Sequence, residues 1–207
     1  MAPPAIHDWP LPYVARLRTR APADIDLVVI HCTELPDLAT AREYGERVLH
    51  GDGTGNSGHY YVDRDGALHR FVAGDRIAHH TRGYNERSVG IELVNTGRWP
   101  DWFDSRKQAM REPYPPAQIA ALLELLKALR AECPSLRWIA GHEDLDTATV
   151  PSSDDPDTQV FRKRDPGPMF PWDDVLRGCG LSRMPGNLDL GKEALDTDEH
   201  GNSRFFS

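Results

Sequence analysis

The sequence predicts an α/β fold in which one domain carries a central β-sheet flanked by helices. The first observation is the apolar run at residues 27–30 (Leu-Val-Val-Ile). It is rich in β-branched residues and typical of a strand buried on both faces of a sheet. The second is an apolar stripe at helical spacing within residues 117–133, which predicts a helix covering such a sheet. At 207 residues the chain is long enough for one well-covered domain of this kind.

Hydrophobic patterning predicts five strands and three helices in all. In chain order they are strand 27–31, helix 38–49, strands 59–62, 67–72 and 88–94, helix 117–133, strand 136–141 and a short helix after residue 172. An Asp-Gly pair between the second and third strands indicates a hairpin. The stripe of the long helix consists of Ile119, Leu122, Leu123, Leu126 and Leu129.

The remaining segments are predicted to be irregular. The glycine-rich residues 51–58 lack the Lys-Ser/Thr ending of a phosphate loop, so we interpret them as a turn. Residues 99–116 predict a surface loop or lid, and residues 147–164 predict a polar loop. We expect three regions: an N-terminal arm (1–26), a single functional domain (27–181) and a polar, flexible C-terminal tail (182–207).

Composition excludes several functional classes. The net charge of −8 argues against a nucleic-acid partner. No run approaches the roughly 18 apolar residues of a membrane span, and without a visible secretory signal we expect a cytoplasmic location. The three cysteines are scattered, which argues against a disulfide framework or a cysteine zinc site.

Two predicted strands end in a histidine, His31 and His142, and a third contains Glu92 among apolar residues. Neighbouring strands lie about 4.8 Å apart, so side chains at their ends can converge on one ion. Each residue also has a purely structural interpretation. The histidines could be hydrogen-bonded residues at strand ends, and the glutamate a buried, hydrogen-bonded structural residue.

Five segments in order resemble the zinc-dependent N-acetylmuramoyl-L-alanine amidases called amidase 2. This family includes AmpD-like recycling enzymes, a phage lysozyme of amidase type and the peptidoglycan recognition proteins. The segments are residues 29–33 (Val-Ile-His-Cys-Thr), 56–60 (Asn-Ser-Gly-His-Tyr), 88–93 (Ser-Val-Gly-Ile-Glu-Leu), 141–144 (Gly-His-Glu-Asp) and 163–168 (Lys-Arg-Asp-Pro-Gly-Pro). The resemblance spans residues 27–172 and implies the family's fold, a mixed sheet flanked by helices.

The resemblance also implies site residues, a cofactor and a ligand. One Zn²⁺ would be held by His31, His142 and Asp165, a set that leaves a position for water. Glu92 matches the family's catalytic acid, and Lys163 matches a lysine that can stabilise an oxyanion. The implied ligand is peptidoglycan or its fragments, and no protein partner is implied. Asp165 could instead be a turn residue, and Lys163 a solvated residue of a basic run.

The sequence departs from the family pattern before the glutamate strand. The family often has Trp-His-Ala-Gly there, whereas residues 79–82 are His-His-Thr-Arg. His80 therefore matches the family histidine, and His79 replaces the tryptophan of the cleft wall. We expect His59 and His80 to contact substrate, with a polar cleft-lining role as the alternative for each.

Three functions remain open. The chain could cleave the amide bond between N-acetylmuramic acid and L-alanine. It could be a non-catalytic peptidoglycan-binding module, although such modules typically lose a zinc ligand. It could also be another zinc hydrolase acting within the stem peptide, which shares the metal site and differs in its products.

Overall fold

The computed structural model describes residues 4–184. Nine strands and four α-helices lie in this part of the chain. They are β1 (Ile6–Asp8), β2 (Leu27–Cys32), α1 (Leu38–Gly45), β3 (Tyr60–Val62), β4 (Leu68–Arg70), β5 (Ser88–Leu93), α2 (Pro116–Glu132), β6 (Trp138–Gly141), α3 (His142–Leu145), β7 (Thr149–Pro151), β8 (Gln159–Phe161), α4 (Trp172–Cys179) and β9 (Ser182–Arg183). Short 3₁₀ helices cover Val14–Arg16, Pro22–Asp24, Asn85–Arg87 and Ser105–Lys107.

Seven of these strands form one sheet in the order β1-β4-β3-β5-β2-β6-β9. Strands β3 and β4 pair antiparallel as the predicted hairpin, and the other five pairs are parallel. The sheet is therefore mixed, and the predicted fold class is confirmed. Strands β7 and β8 form a separate antiparallel pair.

Strand β2 lies in the middle of the sheet between β5 and β6, and all six of its residues are buried. Its side chains alternate between two layers of core. Val28 and Ile30 pack in the cluster that contains the leucines of α2, whereas Leu27 and Val29 pack with Leu145 of α3. Since successive strand residues point to opposite faces, the next residue, His31, shares the face of Val29, away from α2.

Helix α1 ends four residues earlier than predicted, at Gly45. The hydroxyl of Tyr13 donates a hydrogen bond to the Gly45 carbonyl at 2.7 Å, and the amide of Leu49 donates instead to Thr54. The carbonyl and amide that would extend the helix are therefore bonded elsewhere. Val48 and Leu49 are each 60% exposed beyond the helix end.

The long helix α2 buries a slightly different stripe from the predicted one. Leu125 is buried in place of Leu123, and Ile119 is only partly buried. Gln118 is also fully buried, and its side-chain amide donates to the carbonyls of Val62 and Val94. A polar residue is tolerated here because it satisfies backbone groups at the ends of two strands.

Four features were not predicted: the helix α3, β1 in the N-terminal arm, the β7–β8 pair within the polar loop, and β9 at residue 182. The helix has only four residues. Each strand has only two or three residues, too few to show alternation. The predicted regional boundaries stay predictions, and the tail beyond Met184 lies outside the described residues. Within residues 4–184, no helix combines the length and apolar character needed to cross a membrane.

Candidate active site

The site lies where the central parallel strands end. His31 of β2 is in register with Glu92 of β5, and His142 directly follows the last residue of β6. The carboxyl ends of parallel strands meet at one edge of a sheet, which is where α/β proteins commonly bind ligands. Asp165 reaches the same place from the loop before α4.

The predicted ligands His31, His142 and Asp165 lie together and are buried. Each offers one ligand atom, and these atoms lie within 4.8 Å of one another. The Oδ2 atom of Asp165 lies 2.9 Å from Nδ1 of His31 and 3.1 Å from Nδ1 of His142. Two imidazoles and a carboxylate are donors that suit a catalytic metal ion with an open position.

The bonding of this group also fits a cation. Asp165 Oδ1 and His142 Nε2 are buried without a hydrogen-bond partner among the described residues, and such atoms are costly unless something else binds them. Burial, together with neighbouring His142, lowers the pKa of His31 to about 4. Burial raises the pKa of Asp165, but the contacts with His142 and His31 prevail and hold it well below its usual value. The neutral imidazole and charged carboxylate are the metal-binding forms.

The Gly-His-Glu-Asp segment holds two of these ligands in place. The Asp144 carboxylate accepts hydrogen bonds from the Gly141 amide at 2.7 Å and from the Arg183 side chain. This fixes the start of α3 and therefore the position of His142. The Glu143 amide donates to the backbone carbonyl of Asp165 at 2.9 Å, which ties the loop carrying the third ligand to the same helix.

Glu92 lies beside the metal-binding group, with its Oε1 atom 4.0 Å from Nδ1 of His31. Its side chain is 14% exposed and lines the cleft. Burial, together with the charge of Asp165 and against the opposing effect of Lys163, raises the pKa of Glu92 to about 8. A carboxyl group poised near neutral pH can both accept and donate a proton.

Lys163 also lines the cleft, two residues before Asp165. Among the contacts of residues 4–184, its ammonium group takes part in no ion pair or hydrogen bond, in contrast to its neighbour Arg162, which pairs with Asp146. The charge of Lys163 is therefore available to a ligand. The cleft has a volume of about 610 Å³, enough for a small glycopeptide fragment.

Comparison with known proteins identifies the family. Residues 21–168 match the family Amidase_2, described as N-acetylmuramoyl-L-alanine amidase. The chain belongs to the Amidase_2 family. It is also similar to the N-acetylmuramoyl-L-alanine amidase AmiD of Escherichia coli (strain K12), with 34% identity over 102 residues. That match covers 49% of this chain and 30% of AmiD, so the chain spans less than a third of that relative.

Solved structures share the fold of this Amidase_2 chain. The amidase LysC from Clostridium intestinale URNW matches with a TM-score of 0.60 and 19% identity, over 86% of this chain and 99% of LysC. AmiD from E. coli, in complex with anhydro-N-acetylmuramic acid-L-Ala-D-γ-Glu-L-Lys, matches with a TM-score of 0.56 and 23% identity, over 87% of this chain and 67% of the AmiD chain. Bumblebee PGRP-SA matches with a TM-score of 0.58 and 17% identity, over 88% of this chain and 99% of PGRP-SA.

In this Amidase_2 domain, His80 lies between the metal-binding group and β5. Its Nδ1 atom is 3.0 Å from Nε2 of His31, and its Nε2 atom is 3.2 Å from the Ser88 hydroxyl. The ring fits there because residue 90 is glycine, where a Cβ would lie 2.6 Å from the His80 Nδ1 atom. His80 also lines the cleft. This position allows the predicted contact with substrate, which stays untested.

His59 is fully buried and is not among the residues that line the cleft. Its Nδ1 atom accepts a hydrogen bond from the Gly90 amide, and its Nε2 atom lies 3.0 Å from the Arg76 carbonyl. Burial, with the charge of Arg20, lowers the pKa of His59 to about 3. The ring is therefore neutral, and because Nδ1 accepts from Gly90 its proton is on Nε2, which lies 3.0 Å from the Arg76 carbonyl and 2.9 Å from the Arg20 guanidinium. Its predicted contact with substrate stays untested, and these bonds favour a structural role.

Sequence reasoning missed two buried residues of the cleft, Glu34 and Arg98. They line it on the side of Lys163 and form an ion pair. They are 64 positions apart, and neither lies in a periodic segment or in one of the family segments. The only available signal was a pair of opposite charges in the loops that follow β2 and β5.

Proposed function

We propose that this chain is a zinc-dependent amidase that hydrolyses the bond between N-acetylmuramic acid and L-alanine in peptidoglycan fragments. The observation that carries the proposal is the buried group of His31, His142 and Asp165 with Glu92 beside it in one cleft. Membership of the family supports the reaction. The muropeptide bound to AmiD supports the class of substrate.

Zinc at this group would supply Lewis acidity, activating water and polarising the amide carbonyl. The chain's own residues then move the protons. Glu92 accepts a proton from the water that attacks the carbonyl carbon, and it donates a proton to the leaving nitrogen as the carbon–nitrogen bond breaks. The products are the lactyl carboxylic acid of the sugar and a peptide with a free α-amino group.

Lys163 and His80 are proposed to complete the site. The ammonium group of Lys163, which has no partner among the described residues, would stabilise the negative charge that develops on the carbonyl oxygen. A contribution of this kind is worth about 3–4 kcal/mol. His80 would orient His31 through the 3.0 Å contact between their rings and would face the sugar or peptide from the cleft wall.

The test is product analysis by mass spectrometry with a defined muramyl tripeptide, using zinc-loaded and chelator-treated protein side by side, with metal content measured in each. We expect free sugar and an intact tripeptide from the zinc-loaded protein alone. Release of amino acids with the muramic acid–alanine bond intact would indicate a stem peptidase. Binding without turnover in the zinc-loaded protein would indicate a binding module and would contradict the proposal.

A further inference from the structure

A buried ion pair closes one side of the cleft. Arg98 Nε lies 2.6 Å from Glu34 Oε1, and a second guanidinium nitrogen lies 2.7 Å from Oε2, so the contact is bidentate. The Arg98 side chain is 1% exposed and that of Glu34 is 9% exposed. The Arg98 amide also donates to Glu34 Oε1 at 3.2 Å.

The same guanidinium reaches the segment that carries two proposed site residues. Arg98 donates to the carbonyl of Phe161 at 2.9 Å and to that of Arg162 at 3.4 Å. Lys163 follows directly, and Asp165 lies two residues further on. At the other end of the pair, Glu34 lies three residues after His31. The pair thus joins the chain beyond β2 to the chain that delivers Lys163 and Asp165.

The loop 99–116 is bound to this pair as well. Trp102 Nε1 donates to the Glu34 carbonyl at 3.1 Å, and Arg98 donates to the Gln108 side chain at 3.2 Å. Further along the loop, the Tyr114 hydroxyl donates to the carbonyl of Pro166 at 2.7 Å. The loop therefore contacts the chain on both sides of Lys163 and Asp165, through Arg98 before them and through Tyr114 directly after them.

This arrangement is unfavourable for stability alone. Burying two charges has a desolvation cost that their attraction does not reliably recover. Glu34 also adopts a left-handed backbone conformation with φ of 49°, which is uncommon for a residue other than glycine. A Cβ at position 97 would lie 2.7 Å from Glu34 Cγ, so only glycine fits beside it. Strain of this kind persists where the surroundings require it and is concentrated at functional sites.

We propose that the Glu34–Arg98 pair positions the segment carrying Lys163 and Asp165, with Arg98 as the positioning residue. Arginine is required because its planar guanidinium bonds the carboxylate and two backbone carbonyls together, whereas a lysine ammonium is a single point charge. Arg98 acts on the reaction only through Lys163 and on the metal only through Asp165. The expected effect on kcat rests on the proposed amidase function. The expected effect on zinc affinity rests on the metal-binding group alone.

The test compares Arg98→Lys with Arg87→Lys. The second is a matched change in the Asp26–Arg87 ion pair, which lies at the amino ends of β2 and β5, whereas Glu34 and Arg98 follow their carboxyl ends. Zinc affinity is measured by competition with a chromophoric chelator, and kcat and KM are measured on the muramyl tripeptide. For Arg98→Lys we expect zinc affinity to fall about 10- to 100-fold, the range seen when groups that orient metal ligands are changed. We expect kcat at saturating zinc to fall at least about 10-fold, with KM within about threefold of the wild-type value. In Arg87→Lys we expect zinc affinity, kcat and KM all to stay at the wild-type values.

A second variant covers the case in which Arg98→Lys does not fold. Glu34→Asp keeps the charge and shortens the side chain by one methylene, so the carboxylate no longer reaches the guanidinium bidentately. We expect the same pattern, with smaller losses. Unchanged zinc affinity and kcat in a folded Arg98→Lys or Glu34→Asp protein would overturn the inference. A wild-type protein that binds zinc but releases no product would overturn the proposed function instead, and the zinc affinities of the variants would still decide the positioning role.

Discussion

The two ends of the parallel strands β2 and β5 carry the same kind of bond in different settings. At the amino ends, Arg87 binds Asp26 with both guanidinium branches, and their side chains are 40% and 17% exposed. At the carboxyl ends, Arg98 binds Glu34 in the same bidentate way, with 1% and 9% exposed. The first pair faces solvent and links strand starts, whereas the second lines the cleft.

The difference in burial and surroundings predicts a different role for each end of these two strands. The amino-end pair joins residues next to strands and has no metal-binding group beside it in the described chain. The carboxyl-end pair lies among His31, Glu92 and the segment carrying Asp165. An ion pair of the first kind contributes little to stability, and one of the second kind has a desolvation cost that the attraction of its charges does not reliably recover. The carboxyl end should therefore respond to substitution through metal binding and turnover, and the amino end through small changes in stability.

The largest effect is expected for Asp165→Ala. Removal of both carboxylate oxygens leaves two histidines, so zinc affinity should fall by more than the roughly 100-fold seen for groups that only orient ligands, with turnover lost. Isothermal titration of zinc and the tripeptide assay measure the two effects. The matched control is Asp174→Ala on the exposed start of α4. An Asp165→Ala protein that still binds zinc tightly would remove Asp165 from the ligand set.

Glu92→Gln should separate turnover from stability. Glutamine has the shape of glutamate but accepts no proton, so kcat should fall about 10²- to 10⁴-fold. Because burial raises the pKa of Glu92 to about 8, the neutral amide should not lower the free energy of unfolding in urea. The control is Glu86→Gln just before β5, where the side chain is 72% exposed and no loss is expected. Full activity of the Glu92→Gln protein would assign the proton transfer elsewhere.

Much of this contrast is readable from the sequence, for a local reason. The run 27–30 gives β2 its position because four successive apolar residues, rich in β-branched side chains, favour a strand covered on both faces. The histidines at the ends of β2 and β6 follow from where those runs stop. The family segments then connect Asp165 to His31 across 134 positions and to His142 across 23, which no periodicity could do. The structure brings all three together.

What the sequence does not reveal depends on contacts between distant residues. The end of α1 depends on a hydroxyl group 32 positions away, on Tyr13. The Glu34–Arg98 pair depends on two loops that meet only once β2 and β5 are side by side. His59 is a further example. Its segment matches the family pattern, but its contacts with Gly90 and Arg76 exist only in the folded sheet. Charge and burial of such residues are properties of the fold.

His59 lies between the two ends, bonded to the middle of β5, and its stability effect can be measured through pH. Burial and Arg20 lower its pKa to about 3, whereas the unfolded value is about 6.5. Below pH 6.5 the unfolded chain takes up a proton that the folded chain does not. Stability from this group is therefore complete above that pH and is lost as pH falls, at about 1.4 kcal/mol per pH unit.

His59→Gln should remove this term. Between pH 7 and pH 5, urea unfolding of the chelator-treated wild type should lose about 2 kcal/mol more than the variant does. Other acid-sensitive groups, such as His31, are common to both proteins and cancel in the difference. Equal losses in the two proteins would mean that His59 is protonated in the folded state, contrary to its bonding with the Gly90 amide.

The smallest effect is expected at the amino end. In Asp26→Asn the side-chain carbonyl still accepts one of the two Arg87 bonds, and the backbone bonds of residue 26 to residues 87, 137 and 138 are untouched. Since the Arg87 side chain is 40% exposed, the free energy of unfolding should fall by no more than about 1 kcal/mol, with zinc affinity and kcat/KM unchanged. Glu34→Gln makes the same change at the carboxyl end, where an amide nitrogen would face the guanidinium. It should lower both zinc affinity and kcat/KM. If Asp26→Asn lowered turnover as much as Glu34→Gln, the two ends would not be separate in function, and the ion pairs would act on the strands they share.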